Sequence, residues 1–222
     1  MARRSHFNDI AQLLMDRSLA LPDHGDGTPL HAGLTERFGI KMSLVIVHIA
    51  EDDMDWRMSW IRPYGFSTKI FDISRFCPQG RFGDWPDTAY LRTAVIPAYR
   101  AALADRKPRM ERVTTPLLGF NVGYDRLLLP QRAAEPAWCL SFTEGRFLMP
   151  RAPIAVSSDD TDERIAQYLI EGQTPKEMSP MLALSQRTIE HRIDRMKQRY
   201  DARNVAHLTS KLVSERLQPG HP

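Results

Sequence analysis

Cysteine is scarce. The 222 residues hold two, Cys77 and Cys139, far apart and in no metal-ligand spacing. That excludes a disulfide framework and a zinc knuckle, and it suits two reduced, half-buried thiols in a cytosolic protein. Long apolar runs are missing as well. The opening "MARRSHFNDIAQLLMDRSLAL" is interrupted by Asp9, Gln12, Asp16 and Arg17, so it reads as a short amphipathic helix rather than a signal peptide or a membrane span. No membrane partner is expected, and the expected location is the cytoplasm. Nor does one sign of charge dominate: 30 Lys and Arg against 27 Asp and Glu give +3, with a pI near 9.0. Such mild basicity permits a nucleic-acid partner without demanding one, so the distribution of charge must decide. There is no Ser/His/Asp or Cys/His set, no paired carboxylates and no phosphate loop. An enzyme is therefore not expected, and neither is a cofactor or a metal.

What is present is the composition of an ordinary soluble globular protein, 42% hydrophobic and 26% charged, long enough for one large domain or two small ones. A seam falls at "MPRAPIAVSSDDTDE", where Pro150 and Pro153 precede a polar cluster and a helix start. It gives an N-terminal domain over 1–150, a linker over 151–160 and a C-terminal domain over 161–222. Before the seam the chain reads as α+β. A helix near 5–20 is followed by a Gly/Pro/Asp-rich loop, a buried strand "MSLVIVHIA" (42–50) and an alternating strand "WRMSWI" (56–61). Residues 87–108 read as helix kinked by Pro97, and three strands follow in "ERVTTPLLGF", "VGYDRLLLP" and "AWCLSFTEGRFLM". That order suits one antiparallel sheet with helices on one face. His48, inside the most apolar strand, reads as a satisfied core histidine, since no second metal ligand stands at useful spacing. "LVIVHIAEDD" is not a phosphorylatable receiver, because the later Asp, Thr/Ser and Lys-Pro positions are absent. Trp56, Trp60, Phe66, Phe71, Phe76, Phe82 and Trp85 read as core, with room for a small apolar ligand among them.

After the seam the chain is all helix. Thr174-Pro175-Lys176-Glu177 is a capping signature, Ala183-Leu184 forms a turn, and Ser185 is an N-cap for the next helix. Ile189, Ile193, Met196 and Tyr200 give that helix one buried face. Arg187, Glu190, His191, Asp194, Arg195 and Gln198 mark the other. A last helix runs from about Val205 to Leu217. Between Ser185 and Arg203 stand six basic residues against three acids. Basicity thus gathers on one element that follows a capped helix through a tight turn, the layout that seats a recognition helix in the major groove. Pro180 should kink or shorten the helix before the turn.

Glu171-Gly172-x-Thr174-x-Lys176-Glu177-Met178, then Leu182, Leu184, Ser185, Thr188 and Ile189, then Ala202-Arg203-Asn204, resembles the LuxR/GerE-type helix-turn-helix. The likeness covers about residues 160–217. It departs at Glu190, Arg192 and Arg195, where the family usually has Lys, His and Asn, and at Ser179 for the usual Ala. "TIEHRIDRM" is also similar to the last helix of sigma-factor region 4, a kinship of motif only. Over roughly 40–150, Lys107-Pro108 and Tyr124-x-Arg126-Leu127-Leu128-Leu129-Pro130 resemble a divergent PAS-like sensor domain. The Asn-Cys-Arg phrase of light-sensing PAS relatives is absent around Cys77.

These resemblances imply an α+β fold: a PAS-like antiparallel sheet with helices, then an all-α four-helix LuxR-type domain. They imply a cytoplasmic transcriptional regulator that binds double-stranded DNA as a homodimer on inverted half-sites and senses a small-molecule ligand or docks a regulatory protein. The implied contact set is Thr174, Lys176, Ser185, Arg187, Thr188, Glu190, His191, Arg192, Asp194, Arg195 and Arg199. Within it Lys176, Arg187, Arg192, Arg195 and Arg199 hold phosphates, while Glu190, His191 and Asp194 read base edges, a carboxylate accepting from a cytosine amino group. Alternatively, each acid pairs with an arginine one turn away. Two other functions stay open. One is an adaptor that docks another regulator and has lost autonomous DNA binding. The other is an acyl-homoserine-lactone-type receptor, faintly suggested by the Trp56-x-x-x-Trp60 spacing.

Overall fold

The computed structural model describes residues 6–20, 25–65, 73–150 and 159–216. The chain divides into two compact units: residues up to Leu148 apart from 119–121, and residues from Met149 onward together with 119–121.

The first unit opens with α1 (Phe7–Ala20), whose Phe7, Ile10, Ala11 and Leu14 recur at helical spacing and are all buried. A one-turn helix α2 (Thr28–His31) lies in the loop that the sequence presents as structureless. Then come β1 (Met42–His48), β2 (Arg57–Arg62), the short α3 (Ile73–Phe76) and a two-residue β3 (Gly80–Arg81). Helix resumes with α4 (Thr88–Tyr90), a π-helical turn over Leu91–Val95 and α5 (Ile96–Asp105). The unit ends with β4 (Arg109–Leu117), β5 (Phe120–Pro130) and β6 (Trp138–Pro150).

The six strands form one sheet in the order β3-β2-β1-β6-β5-β4. Chain order would put β3 beside β4. Instead β1 pairs antiparallel with both β2 and β6, with Leu44 opposite Phe142 and Ile46 opposite Leu140. The two-residue alternation then sorts every side chain. Leu44, Ile46, Leu127, Leu129, Leu140 and Phe142 share a core with Phe7, Ile10 and Leu14 of α1. Phe7 stacks on Phe142 at 4.9 Å.

The alternate row meets other helices. Tyr90 Oη lies 2.8 Å from Tyr124 Oη, and Arg126 donates to the Ala94 carbonyl. Trp56, Phe82, Trp85, Tyr90 and Tyr99 make a run of ring contacts. Helices on one face are therefore a correction: this sheet is covered on both. The unbroken burial of β1 from Met42 to Val47 is the signature of such a strand.

His48 needs correcting too. It is the last residue of β1 and is exposed, not a core histidine. The two thiols are deeper than expected, both free and fully buried, and burial pushes both up to where they stay protonated. The π turn has a local cause. Pro97 has no N–H and its ring crowds the carbonyl four residues back, so the chain widens ahead of it instead of bending sharply. In β5, the Phe147 ring occupies the space that a Cβ on Gly123 would fill.

The second unit has four helices among the described residues: α6 (Asp160–Ile170), α7 (Pro175–Leu182), α8 (Gln186–Arg199) and α9 (Val205–Arg216). Each sends residues to one apolar core: Ile165 and Leu169, Met178 and Leu182, Ile189, Ile193 and Met196, Leu208 and Leu212. Most of the expected linker, 151–158, lies outside the described residues, as does Leu217. Asp159 and Asp160 belong instead to α6, as its N-cap and first residue.

Candidate nucleic-acid interface

α7 begins as its sequence dictates. Thr174 accepts from the Glu177 amide, Glu177 Oε2 accepts from the Thr174 amide at 2.8 Å, and Pro175 takes the first helical position. This reciprocal cap holds the Glu177 carboxyl below its ordinary range, because the Thr174 hydroxyl and amide both donate to it. Pro180 sits inside α7 without breaking it; the helix is simply short, eight residues. Ala183 then adopts a left-handed conformation (φ 53°, ψ 36°) and reverses the chain. Ser185 caps α8 by accepting from the Thr188 amide at 3.1 Å, and the Ser185 and Thr188 hydroxyls lie 2.8 Å apart.

Along α8 the buried positions are Ile189, Ile193 and Met196. Gln186, Arg187, Thr188, Glu190, His191, Asp194, Arg195 and Gln198 are exposed. At 100° per residue, Arg187, His191, Asp194 and Gln198 fall within one stripe opposite the core, flanked by Arg195 on one side and Glu190 on the other. Lys176, at the start of α7, and Arg203, beyond α8, are exposed as well.

Two arginines expected on phosphates have another job. Arg192 Nη1 donates to both oxygens of Asp159 (3.0 and 2.7 Å) and to Asp162 Oδ1 at 2.8 Å. Arg199 Nη2 donates to the other oxygen of Asp162. Asp162 is buried and Asp159 is the exposed N-cap of α6, so the pair clips the start of α6 to the inner flank of α8. The bonds from Arg192 hold the Asp159 carboxyl below its ordinary range, and the two carboxylates raise the guanidinium in return. The physical reason is angular: residues 192 and 199 lie on the flank of α8 that turns toward α6, not on its outer stripe. Thr174 is likewise engaged as a cap. Among the described residues the two acids of α8 do not pair with arginines. Glu190 accepts from Gln186 Nε2 at 2.8 Å, and Asp194 takes Lys197 at 2.7 Å.

Reading the sequence misses Asp159 and Asp162. Their signal was the acid-rich "SSDDTDE", legible as a helix start but not as the counter-charge of another helix. It also misses the C-terminal closure of α8, where Lys211 Nζ donates to the carbonyls of Tyr200 (2.5 Å) and Asp201 (3.1 Å), a cation on orphan carbonyls. Among the aromatics proposed to line a ligand space, Trp56 is buried and its indole N–H donates to the Ala50 carbonyl at 2.9 Å. Trp60 is half-buried, while Phe66 and Phe71 lie outside the described residues. Among the described residues no group of three His, Cys, Asp or Glu is placed to hold a metal ion. No helix there is long and apolar enough to cross a membrane.

No family profile and no curated protein sequence matches the chain. Solved structures give weak likenesses. A phage VqmA, solved as its complex with DPO, is 18% identical; the match covers 59% of this chain and 66% of that one, at a TM-score of 0.27. Vibrio cholerae VqmA, described as a LuxR-type receptor, is 14% identical over 62% of this chain and 69% of its own, with a TM-score of 0.26. Escherichia coli SdiA is 11% identical over 96% of this chain and 99% of its own, at 0.28. These likenesses are too weak to assign a fold or a function.

Proposed function

We propose that the chain is a DNA-binding transcriptional regulator of the LuxR/GerE kind. In this reading the second unit carries the helix-turn-helix, and the first is a PAS-like unit that senses a small molecule or docks a regulatory protein. The observation that carries it is the exposed stripe of α8, Arg187, His191, Asp194 and Gln198 with Arg195 beside it, presented after the capped α7 and the left-handed turn at Ala183. A helix so placed enters the major groove of double-stranded DNA. Lys176, Arg187, Arg195 and Arg203 supply phosphate contacts, while Glu190, His191 and Asp194 face base edges. The carboxylates favour cytosine amino groups and repel the backbone, which lowers non-specific affinity. The active species is a homodimer on inverted half-sites, and a signal shifts the population of dimers able to span them.

The test is selection of bound sequences from a random duplex pool by the full chain and by its Glu190→Lys variant. A palindromic motif that changes in the variant supports a sequence reader with an acid in its reading face. In follow-up binding, Arg195→Ala should weaken all sequences alike and reduce the salt slope by about one, since each phosphate contact contributes roughly 0.9. A change of preference instead would make Arg195 a base reader.

One observation favours a second reading, an adaptor without autonomous DNA binding. Of the six cations between Ser185 and Arg203, Arg192, Lys197 and Arg199 already hold carboxylates of this chain. Three remain for a polyanion. No enrichment in the selection, with only salt-sensitive background, would choose the adaptor.

A further inference from the structure

Both acids on the exposed side of α8 have partners, and the partners differ in kind. Glu190 Oε1 accepts from Gln186 Nε2 at 2.8 Å, whereas Asp194 Oδ1 faces Lys197 Nζ at 2.7 Å. Gln186 is the first residue of α8, one turn before Glu190, and both are exposed. An ionised carboxylate only accepts, so the amide nitrogen must be the atom that faces it. A neutral amide orients a carboxylate without offsetting its charge. An ammonium offsets the charge and sets a donor beside it. Arg187, three residues before Glu190, makes no ion pair with it among the described residues. Of the two acids, Glu190 is therefore the one whose charge has no counter-ion there.

That difference bears on bases. Gln186 and Glu190 lie in the first turns of α8, the part of a recognition helix that meets base edges. In the major groove cytosine offers an amino donor alone. Adenine sets an acceptor beside its amino group, thymine offers an acceptor and guanine two. A carboxylate without a counter-ion is drawn to the first and repelled by every acceptor. A carboxylate with a lysine beside it presents acceptor and donor together, and so discriminates less. A long side chain also loses rotamer freedom when it meets a base, and it loses less when a neighbour already holds it.

We propose that Gln186 is a positioning residue for sequence reading. Its amide presents Glu190 to a cytosine N4 amino group, while the Asp194–Lys197 pair contributes little to base choice. The inference rests on the DNA-binding reading above, and it adds a residue that lies outside the contact set implied by the resemblance.

The experiment takes the duplex that the full chain selects from a random pool and measures competition binding to it and to its single-base variants. Glu190→Gln should relax the preference for C·G at one base pair of each half-site. Gln186→Ala should relax it at that same base pair, by about fivefold. It should leave the melting temperature of the free protein unchanged, and add nothing in the Glu190→Gln background. Asp194→Asn should leave the preference in place. If the wild type selects no motif, the DNA-binding reading fails and takes the proposal with it. If a motif is selected but Gln186→Ala leaves every base preference intact, or relaxes a base pair that Glu190→Gln does not touch, the proposal alone is overturned. Relaxation by Asp194→Asn as large as that by Glu190→Gln would overturn it too.

Discussion

Both units contain an arginine tied to carboxylate, and the two pairs show what burial does to the same chemistry. In the first unit the Arg126 side chain is 4% exposed, and Glu111 with the Ala94 carbonyl fixes it between sheet and π turn. In the second, Arg192 is 25% exposed and one of its partners, Asp159, lies at the surface at 56%. A charge enclosed like Arg126 cannot be released without leaving its partner stranded, so it serves architecture. A pair at the rim, like Arg192 with Asp159, is screened by salt and open to competing anions, so it positions α8 at little cost to remove. The first unit buries Arg126 between its sheet and a helix; the second buries Asp162, Lys211 and Glu215 at the edge of an apolar core.

The difference is broken most severely at the cores. Phe142→Ala removes a fully buried ring that stacks on Phe7 in the first unit. It should cost about 3–5 kcal/mol, read as a fall in the denaturant midpoint. Next comes alkali. Burial raises the phenols of Tyr90, Tyr99 and Tyr124 in the first unit, against Tyr200 alone in the second. An acid whose folded pKa is raised keeps its proton in the folded state while the unfolded chain ionises. Stability is therefore whole below about pH 10 and falls as pH rises, by up to about 1.4 kcal/mol per pH unit for each tyrosine. Thermal melts from pH 9 to 11 should show the first unit failing first. Tyr99→Phe should flatten its slope.

The sequence makes the second unit more legible than the first, for physical reasons. Caps, turn and buried stripe in the helices are local: Thr174, Glu177, Ala183 and Ser185 signal within four residues of where they act. The strands of the first unit are also readable by alternation and β-branching, and the boundaries of β1, β4, β5 and β6 follow the phrases that announce them. What escapes is set by partners distant in sequence. Nothing near Met42–Val47 says that a helix some fifty residues on covers its second face, and nothing near His48 says that the strand emerges into solvent there. The same holds on α8. Spacing separates Arg187 and Arg195 from the core, but only the fold shows that Asp159 and Asp162, some thirty residues earlier, lie against Arg192 and Arg199. The DNA contacts themselves rest on resemblance and stay a proposal.

Smaller effects sharpen the comparison at the rim. Arg192→Ala leaves buried Asp162 with Arg199 alone and should destabilise the second unit by about 1–3 kcal/mol in a thermal melt. A value near zero would mean that Arg199 suffices. Asp159→Asn is gentler, because asparagine caps a helix as well as aspartate and only the charge facing Arg192 is lost. Its signature is in pH rather than in magnitude. Asp159 is held below its ordinary range, so the stability it contributes is present above about pH 4 and disappears as pH falls through its folded value. The wild type should therefore lose stability toward acid more steeply than Asp159→Asn, the two curves converging once Asp159 is protonated in the folded state as well. Parallel curves would show that Arg192 rests on Asp162 and that the surface carboxylate adds nothing to the clip.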